Sequence, residues 1–218
     1  MFPLADINRP LRPPLVVKAL VAINVIVFMM EIMVGPGQQR EMIYHYGFVP
    51  AAFWADPLAQ SYRLVSSQFL HGGFGHIIGN MWFLWVFGDN IEDRLGRWQF
   101  LVFYLIGGAL AALTQGALNT ASTSPMIGAS GSISAVMGAY FILFPNARVL
   151  TLVWLIIPFT FYLPAYFYLG YWAVLQFFSA LGGGSHVAFW AHVGGFVWGV
   201  GALRLGIFSP ALPPWRRG

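Results

Sequence analysis

Cysteine is absent from the 218 residues, which excludes disulfides, thiolate metal sites and a cysteine nucleophile. Charge is scarce: Asp, Glu, Lys and Arg together make up 8% of the chain, against roughly 25% in soluble domains. The acidic residues number seven: Asp6, Glu31, Glu41, Asp56, Asp89, Glu92 and Asp93. Carboxylates are missing from the centres of the apolar runs, which argues against proton or cation transport. The basic residues are too scattered to form a nucleic-acid patch, so no nucleic-acid partner is expected. There is no His-Glu-x-x-His motif and no carboxylate beside His71 or His76, so no resident metal or cofactor is expected.

What the chain has in abundance is apolar length: 58% of it is hydrophobic and 17% aromatic. The expected fold is an all-α polytopic membrane protein with six transmembrane helices. The spans fall at about 15–34, 74–89, 98–118, 128–145, 164–181 and 187–207. Residues 1–14 are expected to be an exposed cytoplasmic arm, with no removable signal peptide, and 208–218 a cytoplasmic tail. Gly37 to Leu70 is too polar to span and too aromatic for a plain linker, so it reads as a large interfacial first loop with short helices. His45 and His186 fall in loops and read as surface residues. Val149 to Ile157 is apolar but stops at Pro158, too short to cross, and reads as a loop or half-buried segment. Gly182 to Ser185 reads as a flexible connector.

Six spans leave both termini on one side. That side carries Arg9, Arg12, Lys18, Arg94, Arg97, Arg148, Arg204, Arg216 and Arg217, while the other carries Arg40 and Arg63. The excess of positive charge makes the termini cytoplasmic. A prokaryotic inner membrane is the expected location.

The same topology brings polar residues to one depth. His76 and Asn80 lie in the first turns of the second span, Ser130 in the first turn of the fourth, and His192 a turn and a half into the sixth. Polar groups inside a membrane face a partner or a water-filled cavity. The fourth span is short, so its N-terminus, with unpartnered N–H groups, would lie below the surface. Ser130 is then either a helix N-cap, a small residue for close packing, or a nucleophile. A serine hydroxyl needs a base, and histidine suits neutral pH. With no carboxylate near His192, the expectation is a Ser130–His192 dyad rather than a triad. His76 and Asn80, four residues apart on one helix face, would join the Ser130 N–H in an oxyanion hole, with Gly128 beside them. Gly128, Gly131 and Gly138 on the fourth span, facing Gly195 and Gly199 on the sixth, would let the two helices approach closely.

Gly-Ala-Ser-Gly-Ser is similar to a hydrolase nucleophile elbow, but Ser132 stands where that motif requires glycine. Taken together, the motifs resemble the rhomboid family of intramembrane serine proteases over nearly the whole chain. The carriers are Gly128 to Gly131, Ala191-His192 through Gly199, His76 to Asn80 preceded by His71, Tyr62-Arg63, and Glu92 to Gly96. The resemblance implies Ser130 as nucleophile and His192 as base. It implies supporting roles for His71, Arg63, Glu92, Arg94, Gly131, Gly195 and Gly199. It further implies single-span membrane proteins as substrates within the lipid bilayer, with no obligate partner. The fifth span and the connector after it are candidates for a moving gate. Some family members carry an aromatic residue four positions after the nucleophile, under the histidine; here Ser134 occupies that position. Two other readings are a catalytically inactive relative that binds membrane helices, and a haem- or ion-handling protein using His71, His76 and His192.

Overall fold

A computed structural model describes residues 1–154, 157–182 and 187–210. The chain opens with a short strand, β1 (Phe2–Asp6), and the helix α1 (Leu15–Met33). Four short helices follow: α2 (Gly35–Tyr46), α3 (Pro50–Ala55), α4 (Pro57–Gln60) and α5 (Arg63–Ser66). Then come α6 (Phe74–Leu95), α7 (Arg97–Leu118) and α8 (Ser130–Leu143). A hairpin of β2 (Arg148–Trp154) and β3 (Pro158–Pro164) precedes α9 (Ala165–Gly182) and α10 (Phe189–Arg204). Among the described residues two helices, α1 and α7, are long and apolar enough to cross a membrane by length and composition alone.

α8 is the centre of the bundle. Every residue from Gly131 to Tyr140 is buried, and α6, α7, α9 and α10 all pack on it. A helix covered on all sides cannot be amphipathic, and it is composed of small residues for that reason. A Cβ on Gly138 would lie 2.2 Å from the Phe196 carbonyl oxygen, and one on Gly195 would lie 2.2 Å from that of Gly131. On the opposite flank, a Cβ on Gly107 of α7 would lie 2.6 Å from that of Ala135. Backbone therefore meets backbone between α8 and α10, while on the α7 side each helix has room only for the other's alanine methyl groups.

Four expectations change. The chain is not all-α: β1, β2 and β3 form an antiparallel sheet in that order. The apolar stretch after α8 is strand β2, paired with β3 from Arg148 opposite Pro164 to Trp154 opposite Pro158. The N-terminal arm is not free either, because β1 pairs with β2, with Phe2 opposite Leu152. Side chains fasten it further. Trp82 Nε1 donates to the Pro3 carbonyl at 2.6 Å. Asp6 accepts from the Tyr140 hydroxyl and from Asn90 Nδ2 at 3.0 Å. The second long helix also overruns its expected end at residue 89. The Glu92-Asp93-Arg94 stretch is its last turn, closed by Gly96 at φ +80° with its N–H on the Glu92 carbonyl.

Glu92 accounts for the start of α1. Pro14 offers that helix no side-chain cap. The Glu92 carboxylate instead accepts from the Val16 N–H at 3.0 Å and the Val17 N–H at 2.8 Å, where an anion also meets the positive end of the helix dipole. Arg94 does not pair with it: its guanidinium lies over the Phe144 ring, 5.7 Å from the centroid. Glu92→Ala should lower stability by about 3 kcal/mol, because it strands two N–H groups in a buried position. Glu92→Gln, which keeps one acceptor, should recover part of that. Thermal unfolding in detergent measures both; an unchanged midpoint for the alanine variant would show that Glu92 is not the cap.

Candidate active site

The chain enters α8 under tight control from the first loop. Phe48 and Met126 exchange backbone hydrogen bonds of 2.9 and 2.8 Å. The Ala51 N–H reaches the Ser122 carbonyl at 3.0 Å, and the Gly128 N–H reaches that of Ser67 at 2.8 Å. Gly128 turns the chain at φ +114°, a conformation that favours glycine. A Cβ there would also lie 2.6 Å from His76 Nε2. Gly128 is therefore not a hydrogen-bond donor to the site, since its N–H is already used; it contributes its turn and its missing side chain. Ser130 then opens α8, and its N–H is one of the first-turn groups without an acceptor inside the helix.

Ser130 faces His192 of α10, with Oγ and Nε2 2.9 Å apart. The opposite nitrogen, Nδ1, lies 2.7 Å from Gln176 Oε1 on α9. Trp172 of α9 and Phe189 flank the imidazole, with ring centroids 6.0 and 6.1 Å from it. The Ala191 N–H at the start of α10 donates to Gln115 Oε1 of α7 at 3.3 Å.

A cavity of about 860 Å³ opens on this pair. His76, Asn80, Gly128, Ser130 and His192 all line it, as do Gln68, Gln115 and Trp172. Among the described residues that line it, none is charged. Asn80 Nδ2 is buried and, among the described residues, has no hydrogen-bond partner. His76 Nδ1 accepts from the Gly72 N–H at 3.5 Å, which leaves the proton on Nε2, the nitrogen beside Gly128. An unsatisfied amide donor is costly to bury. Two side-chain donors converging on the space next to Ser130 make chemical sense if an oxygen carrying negative charge forms there.

The other expected support residues work at a distance from this pair. His71 is fully buried, and its N–H donates to both oxygens of Glu31 at 3.1 and 3.3 Å. Its ring packs edge-on to His76 with centroids 5.0 Å apart. Burial, aided by the neighbouring His76, pushes the His71 imidazole down to about 4, so the ring is neutral. Arg63 stays in the loop, with Nε 3.2 Å from the Tyr62 hydroxyl, and that hydroxyl donates to the His45 carbonyl. His45 itself is exposed. Gly195 and Gly199 press on the carbonyls of Gly131 and Ala135 across the α8–α10 contact, but the missing side chain of Gly131 faces Ala111 of α7 and not α10. Ser134, in the position read as under the histidine, turns back on its own helix: its hydroxyl donates to the Ser130 carbonyl at 2.6 Å. The aromatic neighbours of His192 are Trp172 of α9 and Phe189 of α10 instead. Gln176 and Trp172 are the residues that sequence reasoning missed, and a glutamine inside an apolar span was the available signal. Among the described residues no group of three or more His, Asp or Glu side chains could hold a metal ion. Gly183 to His186 and the tail from residue 211 lie outside the described residues.

A family model for the Rhomboid domain matches residues 58–207. The chain is 34% identical over 115 residues to Presenilin-associated rhomboid-like protein A, mitochondrial, of Danio rerio, covering 52% of this chain and 29% of that protein. It is 34% identical over 102 residues to Rhomboid protein 1, mitochondrial, of Saccharomyces cerevisiae, covering 45% and 30%. A rhomboid relative in Bacillus subtilis is 30% identical over 109 residues, covering 47% and 48%. The matched stretches thus cover between 29% and 48% of these relatives' own length. Two of the three relatives are named as mitochondrial, so the expectation of a prokaryotic membrane finds no support in these names.

Proposed function

Because the chain belongs to the Rhomboid family, and is on that ground an integral membrane protein, we propose that it is an intramembrane serine protease. It hydrolyses a peptide bond in or beside the transmembrane segment of a membrane-protein substrate. The observation that carries this reading is the 2.9 Å contact between Ser130 Oγ and His192 Nε2 at the wall of a cavity. A hydroxyl with an imidazole in hydrogen-bond reach is an activated nucleophile.

In this reading Ser130 Oγ attacks the scissile carbonyl carbon while His192 Nε2 takes its proton. The carbonyl oxygen becomes an oxyanion, held by the Ser130 N–H, His76 Nε2–H and Asn80 Nδ2–H. The imidazolium then gives its proton to the leaving amine, and the amine departs. Water enters through the cavity, His192 removes its proton, and the acyl-enzyme is hydrolysed to free Ser130 and a new carboxyl terminus. The six long helices act as six spans within residues 15–207, and the termini lie on the side richer in Lys and Arg. α8, at about 21 Å, is shorter than a bilayer core of about 30 Å, so its Ser130 end is recessed from the surface. That depth suits a substrate presented from within the membrane, and single-span proteins are the simplest substrates of that kind.

The test is cleavage of a single-span reporter by the purified protein in proteoliposomes, with a fluorophosphonate probe mapped by peptide sequencing. The expected outcome is two reporter fragments and label on Ser130. Intact reporter together with unlabelled Ser130 would overturn the protease reading.

A further inference from the structure

A serine nucleophile needs an imidazole with a free lone pair on the nitrogen that faces it. In neutral imidazole only one nitrogen offers that pair, and the bond made by the other nitrogen decides which. Here the other nitrogen, Nδ1, meets the side-chain oxygen of Gln176 at 2.7 Å. An amide oxygen only accepts, so Nδ1 carries the proton and Nε2 faces Ser130 Oγ unprotonated. Trp172, four residues earlier on the same face of α9, borders the imidazole. Among the described residues the one titratable group besides His192 that lines this cavity is His76 from α6, while α8 offers the Ser130 hydroxyl, α7 the neutral Gln115 and α9 the neutral Gln176.

Resting on the protease reading above, we infer that Gln176 is the positioning residue of the Ser130–His192 pair. It does with a neutral amide on α9 what a carboxylate does in a serine-protease triad: it selects the Nδ1–H tautomer and keeps its hydrogen bond as Nε2 takes the proton from Ser130. The buried residues of α9 are Ala165, Tyr168 and Leu169, all in its first turn and a half, and Gln176 lies beyond them on the part of the helix that borders His192.

The experiment compares wild type, Gln176→Leu and Gln176→Glu in two ways. The first is cleavage of a single-span reporter in proteoliposomes across pH. The second is the nitrogen shifts of ¹⁵N-histidine-labelled protein, assigned with His192→Ala, which report the tautomer without any activity. Gln176→Leu should lower kcat roughly 10- to 100-fold with KM little changed, since a hydrogen bond to a forming cation is lost. Its acid limb should move to lower pH, and its His192 should show both tautomers. Gln176→Glu should restore turnover and move the acid limb to higher pH. A general packing role would produce neither the limb shifts nor the rescue. Wild-type turnover, pH profile and tautomer in Gln176→Leu would overturn the assignment, as would a wild-type His192 protonated on Nε2. If wild type cleaves nothing but the tautomer still responds to Gln176→Leu, the positioning role stands and the protease reading falls.

Discussion

Ser130→Ala should leave a folded protein whose cleavage of a transmembrane reporter is lower by roughly 10⁴- to 10⁶-fold, the range seen when a nucleophile is removed from a serine protease. The lower bound corresponds to about 5.5 kcal/mol of lost transition-state stabilisation. Stability should barely move. Ser130 is half-buried at a cavity wall, and the hydrogen bond that its hydroxyl makes with His192 can pass to water there. Thermal unfolding in detergent should therefore coincide with wild type, which separates loss of chemistry from loss of fold. His192→Ala should reach a similar floor. The double variant should be no slower than either single one, because the two groups act as a unit and the second deletion removes nothing that still works. Any variant that retains wild-type cleavage would end the dyad reading. A double variant much slower than both singles would mean that each group contributes alone.

Much of the arrangement around Ser130 was legible because it depends on periodicity and depth. The apolar runs gave the long helices to within a few residues, except where α6 continues through Glu92. Counting spans put His76, Asn80, Ser130 and His192 at one level, and all four line one cavity. What was not legible depends on pairing between distant parts of the chain. β2 reads as a mostly apolar run too short to cross, with no alternation that marks a strand, and Pro158 looks like a stop rather than the start of a partner strand. Phe2 pairs with Leu152, some 150 residues away, and nothing local in either segment announces the other. The capping role of Glu92 is hidden likewise, because its partners are the N–H groups of Val16 and Val17. Gln176 is a different kind of omission. It stood in view as a polar residue in an apolar helix, but without its distance to His192 it had no assigned task.

Gly199→Ala should cost both fold and activity, although it adds a single methyl group. Its Cβ would stand 2.0 Å from the Ala135 carbonyl oxygen and 2.8 Å from the carbonyl carbon. A carbon and an oxygen rest at about 3.3 Å or more, so the helices would have to part by roughly 1.3 Å. α8 has little room to retreat, because Gly107 and Gly131 bring it close to α7 on its other side: their added Cβ atoms would lie 2.6 Å from Ala135 Cβ and Ala111 Cβ. The movement therefore falls on α10. In a membrane the association of these helices rests on close packing rather than on exclusion of water, so a gap is not offset by burial elsewhere. A loss of about 3 kcal/mol, at the upper end of overpacking effects, is expected in thermal or denaturant unfolding. α10 also carries His192. Withdrawing it by that distance would stretch the 2.9 Å contact to Ser130 beyond hydrogen-bond range, so the folded fraction should also cleave poorly. Gly201→Ala is the matched control on the same helix. Its Cβ would meet nothing within 4 Å, and alanine favours helix over glycine by up to about 1 kcal/mol. That variant should be as stable as wild type or slightly more so, and fully active. Equal unfolding midpoints for the alanine variants at 199 and 201 would show that the α8–α10 contact is looser than its backbone distances indicate.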